Sequence, residues 1–249
     1  MSIKVAVLGA KGRMGQESVK AISANSDLEL VAALDLGDSL ENLVTSKAEV
    51  VVDFTHPDSV MANLEFAITH GINVVVGTTG INEAKMDQIK TWLAANPKVG
   101  ALIAPNFGLG AILMMQFSAK AAKYFESVEI IELHHPAKVD APSGTAARTA
   151  DLINQSRKSV NKVAMPDATT SKLEGARGAK IGDVHIHSVR LNGLVAHQEV
   201  ILGDVGETLS IRHDSMDRTG FMPGVLLAIR NIAKYPGLTY GLENYMDLT

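Results

Sequence analysis

The stretch Ile3-Lys4-Val5-Ala6-Val7-Leu8-Gly9-Ala10-Lys11-Gly12-Arg13-Met14-Gly15 decides the fold. Ile3 to Leu8 is short and rich in β-branched residues, which predicts a strand. Three glycines at three-residue spacing follow at once. Gly15 to Asn25 then carries helical spacing. A tight strand-to-helix turn needs residues without Cβ. It lets the backbone approach a pyrophosphate, and the helix start offers unpaired N–H groups and a positive dipole end. The bland alternative is a glycine loop that merely caps a helix. Asp35 weighs against it, because it lies 20 residues after Gly15 at the end of the next apolar run. A carboxylate there accepts hydrogen bonds from both ribose hydroxyls of NAD.

Working outward, the same alternation repeats. Leu28 to Leu34, Val50 to Val52, Asn73 to Val76 and Ala101 to Ala104 read as further strands. Pro57 to His70 and Asn82 to Ala95 read as helices. Continuous apolar strands between helices predict a parallel sheet covered on both faces. The fold class is therefore α/β, with a Rossmann-like, doubly wound parallel sheet. Such sheets bind ligands beyond the carboxyl ends of their strands. Each of the five strands ends in Gly, Asp, Thr or Asn, where such a ligand would lie.

The pattern changes after about residue 127. Ser127 to Leu133, Val184 to Leu191, Val195 to Leu202 and Thr208 to His213 read as strands. Asn192-Gly193 and Asp204-Val205-Gly206 predict antiparallel hairpins between them. Residues 155–182 are polar and glycine-bearing and read as a long mobile connection. Pro223 to Ile232 reads as a helix. This arrangement predicts a second, smaller α+β domain.

The chemically richest stretch is Glu132-Leu133-His134-His135-Pro136-Ala137-Lys138-Val139-Asp140-Ala141-Pro142-Ser143-Gly144-Thr145. It leaves a strand, turns at two prolines and enters a helix. Ser143 is placed to cap that helix, with Gly144 and Thr145 in its first turn. This is a second anion-ready helix start. With two imidazoles and an ammonium beside it, the segment suits a carboxylate-bearing substrate that must also receive a proton. Metal binding by His134 and His135 is the rival. Adjacent strand residues point to opposite faces and make a poor chelate, so no metal is expected. His185 and His187 share a strand face. Three roles stay open for them: a solvated or interface face, substrate contact, or a metal pair lacking an obvious third ligand.

Composition narrows the classes. The 249 residues suit between one and two domains, at about 150 residues per domain. Apolar residues make up 46%, which argues against disorder. A net charge of -4 argues against a nucleic-acid partner. The absence of cysteine excludes disulfides, thiolate metal sites and a cysteine nucleophile, and fits a reducing compartment. There is no apolar run long enough to span a membrane and no leader-like segment at the N-terminus, so a soluble, cytoplasmic protein is expected.

The segment from His134 to Thr145, the glycine turn, Val76-Gly77-Thr78-Thr79-Gly80 and Ala104-Pro105-Asn106-Phe107 resemble, in order and spacing, the dihydrodipicolinate (4-hydroxy-tetrahydrodipicolinate) reductases, in particular the actinobacterial ones. The resemblance implies NAD(P)H-dependent reduction of 4-hydroxy-tetrahydrodipicolinate to tetrahydrodipicolinate, a step toward diaminopimelate and lysine. It implies that the nucleotide contacts Gly9, Ala10, Lys11, Gly12, Arg13, Met14, Asp35, Gly77, Thr78, Thr79, Ala104, Pro105, Asn106 and Phe107. His134 matches the family's catalytic histidine and Lys138 its proton-donating lysine. His135, Gly144 and Thr145 match its substrate-carboxylate contacts, with Ser143 beside them at the helix start. The implied architecture is a nucleotide domain of residues 1–106 and 215–249. A substrate-binding and tetramerisation domain with a mixed sheet, residues 107–214, completes a homotetramer. One residue departs from the pattern: Leu36 stands where many members carry an Arg that contacts the 2′-phosphate of NADPH. A carboxylate at Asp35 repels that phosphate, and Lys11 and Arg13 in the adjacent turn offset the repulsion, so both NADH and NADPH are expected. Two rival readings account for less of the chain. An amino-acid-dehydrogenase-like oxidoreductase accounts for the first domain but not the His-Lys-Ser-Gly-Thr segment. A dinucleotide-sensing regulator keeps the glycine turn but needs no proton donor, so Lys138 speaks against it, and a transcriptional sensor would want a basic DNA-binding element, of which none is visible.

Overall fold

The computed structural model describes residues 2–248. In chain order the strands are β1 (Ile3–Leu8), β2 (Leu28–Leu34), β3 (Val50–Asp53), β4 (Asn73–Val76), β5 (Gly100–Ile103), β6 (Ser127–His134), β7 (Ala179–Ile181), β8 (Val184–Arg190), β9 (Ala196–Asp204), β10 (Glu207–Ser215) and β11 (Gly237–Tyr240). The α-helices are α1 (Arg13–Ser23), α2 (Glu41–Thr45), α3 (Val60–Thr69), α4 (Glu83–Ala95), α5 (Leu109–Ala121), α6 (Gly144–Ser159) and α7 (Met222–Asn231). The chain forms two compact units. One runs to Gly108 and resumes at Arg218; the other is Leu109–Asp217.

The first unit holds a six-stranded parallel sheet in the order β11-β5-β4-β3-β1-β2. Val5, Val7, Val51, Val52, Val74 and Val75 are fully buried, as strands covered on both faces require. The chain passes from β1 to β2 on one side and then returns to β3 on the other. That reversal is the switch point where doubly wound sheets take their ligands. Five of the strands match the sequence reading. The sixth, β11, was not read from the sequence: it is four residues long, begins with glycine and follows Pro236. It pairs with β5, Gly237 opposite Gly100. Helix α7 shares this unit. Its Arg230 grips Asp27 through Nε at 2.7 Å and Nη2 at 2.9 Å.

The second unit holds a mixed five-stranded sheet in the order β10-β9-β6-β8-β7. One face carries the buried side chains Val128, Ile130, Val184, Ile186, Val200 and Leu202, and α6 packs on this unit with α5. Helix α5 also escaped the sequence reading. Leu109-Gly-Ala-Ile-Leu-Met-Met is apolar on nearly every side, so it shows no polar face to mark a helical period. Two of the expectations do not hold. Strands β8 and β9 do not form a hairpin through Asn192-Gly193. Strand β6 lies between them, parallel to β8 and antiparallel to β9. The connection instead passes over the end of β6, where Leu191 N–H donates to the His134 carbonyl at 3.1 Å. The second turn does make a hairpin, with Asp204 opposite Glu207 and Gly206 at φ +85°. The 155–182 stretch is not all connection. Helix α6 continues to Ser159, and β7 pairs with β8. The last turn of α6 is anchored by the Arg157 guanidinium, almost wholly buried, which donates to the carbonyls of Phe125 and Val163 at 2.8 and 3.0 Å.

Candidate active site

The glycine turn has the geometry its spacing predicts. Gly9 sits at φ +76°, and a Cβ there would lie 2.4 Å from the Phe54 carbonyl oxygen. A Cβ on Gly15 would lie 2.0 Å from the carbonyl oxygen of Gly9. Both clashes are with backbone, so neither can be relieved by a side-chain rotation. Helix α1 starts at Arg13 on a Gly12 N-cap whose missing side chain leaves the first-turn N–H groups to a ligand. Asp35 stands opposite. Its two carboxylate oxygens accept the N–H groups of Lys11 at 2.7 Å and Leu36 at 2.8 Å. Those bonds, Leu36 first and Lys11 second, hold the carboxyl below its usual range. Gly9, Gly12, Asp35, Leu36 and Phe54 line a cleft of 390 Å³. Lys11 and Arg13 are exposed beside it, and Leu36 is fully exposed.

A second cleft of 200 Å³ lies at the ends of β4 and β5, lined by Gly77, Thr78, Thr79, Ala104 and Pro105. Tyr240 of β11 also lines it, a residue not singled out from the sequence. Phe107 is buried and meets Phe54 edge-on, ring centres 5.6 Å apart. Both rings press on Gly77, where a Cβ would lie 2.1 Å from Phe54. Asn106 Oδ1 accepts the Gly108 N–H at 2.8 Å. Beneath the loops sits Asp53, fully buried. Its carboxylate accepts the Thr78 hydroxyl at 2.7 Å, the Thr55 hydroxyl at 2.7 Å and Asn63 at 2.8 Å. These residues therefore collect at the carboxyl ends of one sheet. The glycine cradle, the open helix start and the pinned carboxylate fit a dinucleotide.

The second unit assembles the His-Lys segment. His134 is the last residue of β6 and Ser143 the N-cap of α6. Ser143 is buried; its hydroxyl accepts the Ala146 N–H at 3.2 Å. Gly144 is exposed at the helix start and Thr145 partly so. His135 is exposed. Lys138 Nζ donates to Asp140 Oδ1 at 2.7 Å, so a carboxylate is its charged partner. The Asp140 carboxyl lies below its usual range, chiefly through Lys138 and also through the N–H groups of Asp140 and Gly144.

Two residues that the sequence reading did not single out as functional hold this segment together. Glu132 is fully buried. Its Oε2 accepts from His134 Nδ1 at 2.5 Å and from Arg190 Nη1 at 2.9 Å. Its Oε1 accepts from Arg190 Nη2 at 2.9 Å and from the Ser143 N–H at 3.2 Å. Burial by itself would raise the Glu132 carboxyl; hydrogen bonds from Arg190, Ser188 and His134 outweigh it and hold the group below its usual value. Arg190 Nη2 also donates to the Asp140 carbonyl at 2.7 Å. The only sequence sign of Glu132 was two-residue spacing from His134, which places both on one strand face. Arg190 gave none, because its partnership depends on β8 lying beside β6. His134 is itself lowered, by burial first, with Glu132 pulling the other way.

His185 and His187 are occupied elsewhere. His185 Nδ1 lies 2.6 Å from the Arg177 carbonyl, and His187 Nε2 lies 2.7 Å from Glu129, which also pairs with Arg177. This pair thus ties the 162–178 segment to the sheet. Among the described residues no group of three or more His, Asp or Glu is arranged to hold a metal.

A Rossmann-type nucleotide unit joined to a mixed-sheet unit with a histidine–lysine loop defines a nucleotide-dependent oxidoreductase. Comparison with known proteins narrows the class. Residues 3–107 match the N-terminal model of dihydrodipicolinate reductase, and residues 110–246 match its C-terminal model. The chain is 59% identical over 248 residues to 4-hydroxy-tetrahydrodipicolinate reductase of Nocardia farcinica, covering 100% of both chains. It is 57% identical to the Streptomyces griseus enzyme, covering 99% of this chain and 98% of the other. A solved structure of dipicolinate-bound dihydrodipicolinate reductase from Paenisporosarcina sp. TG-14 superposes with a TM-score of 0.90 at 39% identity, covering 99% of this chain and 100% of that one. The chain belongs to the dihydrodipicolinate reductase family.

Proposed function

We propose that this protein reduces 4-hydroxy-tetrahydrodipicolinate to tetrahydrodipicolinate in diaminopimelate and lysine biosynthesis, using either NADH or NADPH. The balance is one substrate, one reduced nucleotide and one proton giving product, oxidised nucleotide and water. The observation that carries the reading is the joining of His134 and the α6 start by one buried carboxylate, with Lys138 in the loop that runs between them. When bound, the reduced nicotinamide supplies the hydride. Gly9 to Met14 take the pyrophosphate on the α1 N–H groups, and Asp35 takes the adenosine ribose. Thr78, Thr79 and Ala104 to Phe107 line the nicotinamide end. Lys11 and Arg13 meet the 2′-phosphate of NADPH, and Leu36 leaves NADH unhindered. That arrangement is the basis for dual use.

Lys138 donates the proton that the reduced ring requires, as an ammonium released from Asp140. His134 accepts or relays a proton at Nε2. The substrate carboxylates meet His135, the Ser143 hydroxyl and the N–H groups of Gly144 and Thr145 at the α6 start. Dipicolinate, the ligand of the Paenisporosarcina structure, is a dicarboxylate of this kind. The assembly is a homotetramer built on the sheet face that carries Ile131, Leu133, Val189 and Ile201, each partly exposed here. The working compartment is the cytoplasm; a chain without cysteine suits it. No helix among the described residues is long and apolar enough to cross a membrane. The deciding assay follows NADH and NADPH oxidation with substrate generated in place by the synthase that makes it. Turnover with both nucleotides is expected. No turnover with either overturns the reading, and turnover with one alone overturns dual use.

A further inference from the structure

We infer that Glu132, backed by Arg190, is a positioning residue that fixes the His134 proton on Nδ1 and so presents Nε2 as the nitrogen that exchanges a proton with the substrate. This rests on the proposed reduction, and it assigns work to two residues outside the proton-transfer pair.

The argument is geometric. A carboxylate has no proton to give, so the 2.5 Å contact between Glu132 Oε2 and His134 Nδ1 requires the hydrogen on Nδ1. In the neutral ring the lone pair then falls on Nε2. The Glu132 side chain is wholly shielded from water. An unpaired carboxylate in that position is too costly to keep its charge. Arg190 supplies the countercharge through two parallel hydrogen bonds of 2.9 Å, the fork-to-fork arrangement that guanidinium and carboxylate favour. The sheet makes this possible. His134 of β6 pairs in register with Arg190 of β8, and Glu132 with Ser188. The same carboxylate accepts the Ser143 N–H, and Arg190 holds the Asp140 carbonyl. The ring, the α6 start and the Lys138 loop are thereby referenced to one buried ion pair. Besides Glu132, the charged groups acting on the ring are Lys138 from its loop and Arg190 from β8, both cations that oppose a charged imidazole. Glu132 is the group that offsets them.

Two measurements test this. The first uses the unaltered protein without substrate or nucleotide. Nitrogen NMR of histidine-labelled protein, with the His134 signal assigned by its loss in His134→Gln, should show the Nδ1–H tautomer when the ring is neutral. A neutral ring protonated on Nε2 overturns the inference whatever the enzyme does. The second uses Glu132→Gln, which keeps the shape and removes the charge. Loss of the charge leaves the two cations unopposed, so the His134 titration and the matching limb of the kcat–pH profile should both move to lower pH. The kcat at neutral pH should fall on the order of 100-fold, with the substrate KM moved by less than about threefold. If Glu132→Gln folds poorly, Arg190→Lys keeps a cation, loses the fork and should shift the same limb by a smaller amount. A well-folded Glu132→Gln with an unmoved profile overturns the inference, while the wild-type enzyme's turnover separately judges the proposed reduction.

Discussion

Gly144→Ala separates binding from folding more cleanly than any other change at the site. Gly144 is the first residue of α6, is exposed, and a Cβ added there meets no atom within 4 Å. Its φ is not positive, so alanine adopts the conformation without strain. Alanine also restricts the unfolded chain and suits a helix better. The variant should gain about 0.4–1 kcal/mol, which in a chain of this length raises Tm by about 1–4 °C. Binding should move the other way. In a helix each Cα–Cβ bond tilts toward the N-terminus, so the new methyl leans into the space where a carboxylate would meet the Gly144 and Thr145 N–H groups. Loss of one charge-assisted hydrogen bond costs about 1.5–3 kcal/mol, or about 10- to 150-fold in affinity. The assays are thermal unfolding, the substrate KM in the synthase-coupled reaction, and calorimetric titration with dipicolinate. The nucleotide KM should not change. An unchanged substrate KM in a stabilised protein would show that no substrate carboxylate approaches α6. A lowered Tm would show that the space at the helix start is not free in the protein alone.

Three further outcomes are expected. Lys11→Ala with Arg13→Ala should weaken NADPH about tenfold or more and leave NADH within about threefold, since only the 2′-phosphate uses those charges; equal losses in nucleotide titrations would refute the placement. Lys138→Ala should lower kcat by about 100-fold or more while NADH affinity, read from its fluorescence, stays unchanged, and an unaltered kcat would remove Lys138 from proton transfer. Acid unfolding should report Glu132: its folded carboxyl lies below the free value, so the stability it lends is full above about pH 4.3 and is lost as pH falls through the lower folded value. Urea midpoints of Glu132→Gln should therefore fall less steeply with acid than those of the wild type, and parallel curves would contradict an ionised, paired Glu132.

Legibility followed the range of the interactions. The β1–turn–α1 unit could be read because its parts touch within a few residues: a β-branched strand, glycines where Cβ cannot fit, and a helix that starts without a side-chain cap. Asp35 could be read because β2 pairs directly with β1 and brings its end to the turn. The start of α6 could be read from its Ser-Gly-Thr cap. Helix α5 and strand β11 could not. The first lacks a polar face, and the second is too short and too glycine-marked to form a pattern. Asn192-Gly193 looked like a hairpin because the dipeptide favours tight turns, but strand order is set by which apolar faces pack together.

By itself the sequence determined the local geometry: a glycine turn opening a helix, an acid at the end of the next strand, a histidine–lysine loop and a serine-capped helix start. Each depends on residues adjacent in the chain, where backbone geometry leaves little choice. The tertiary structure alone decided the electrostatic support of that geometry. Arg190 is 58 residues from Glu132, and only the parallel pairing of β8 with β6 brings its guanidinium against that buried carboxylate. The protonation of His134 follows from that pairing, because an isolated strand bearing Glu132 and His134 in water would have neither the desolvation nor the countercharge that keeps the carboxylate ionised and the ring oriented.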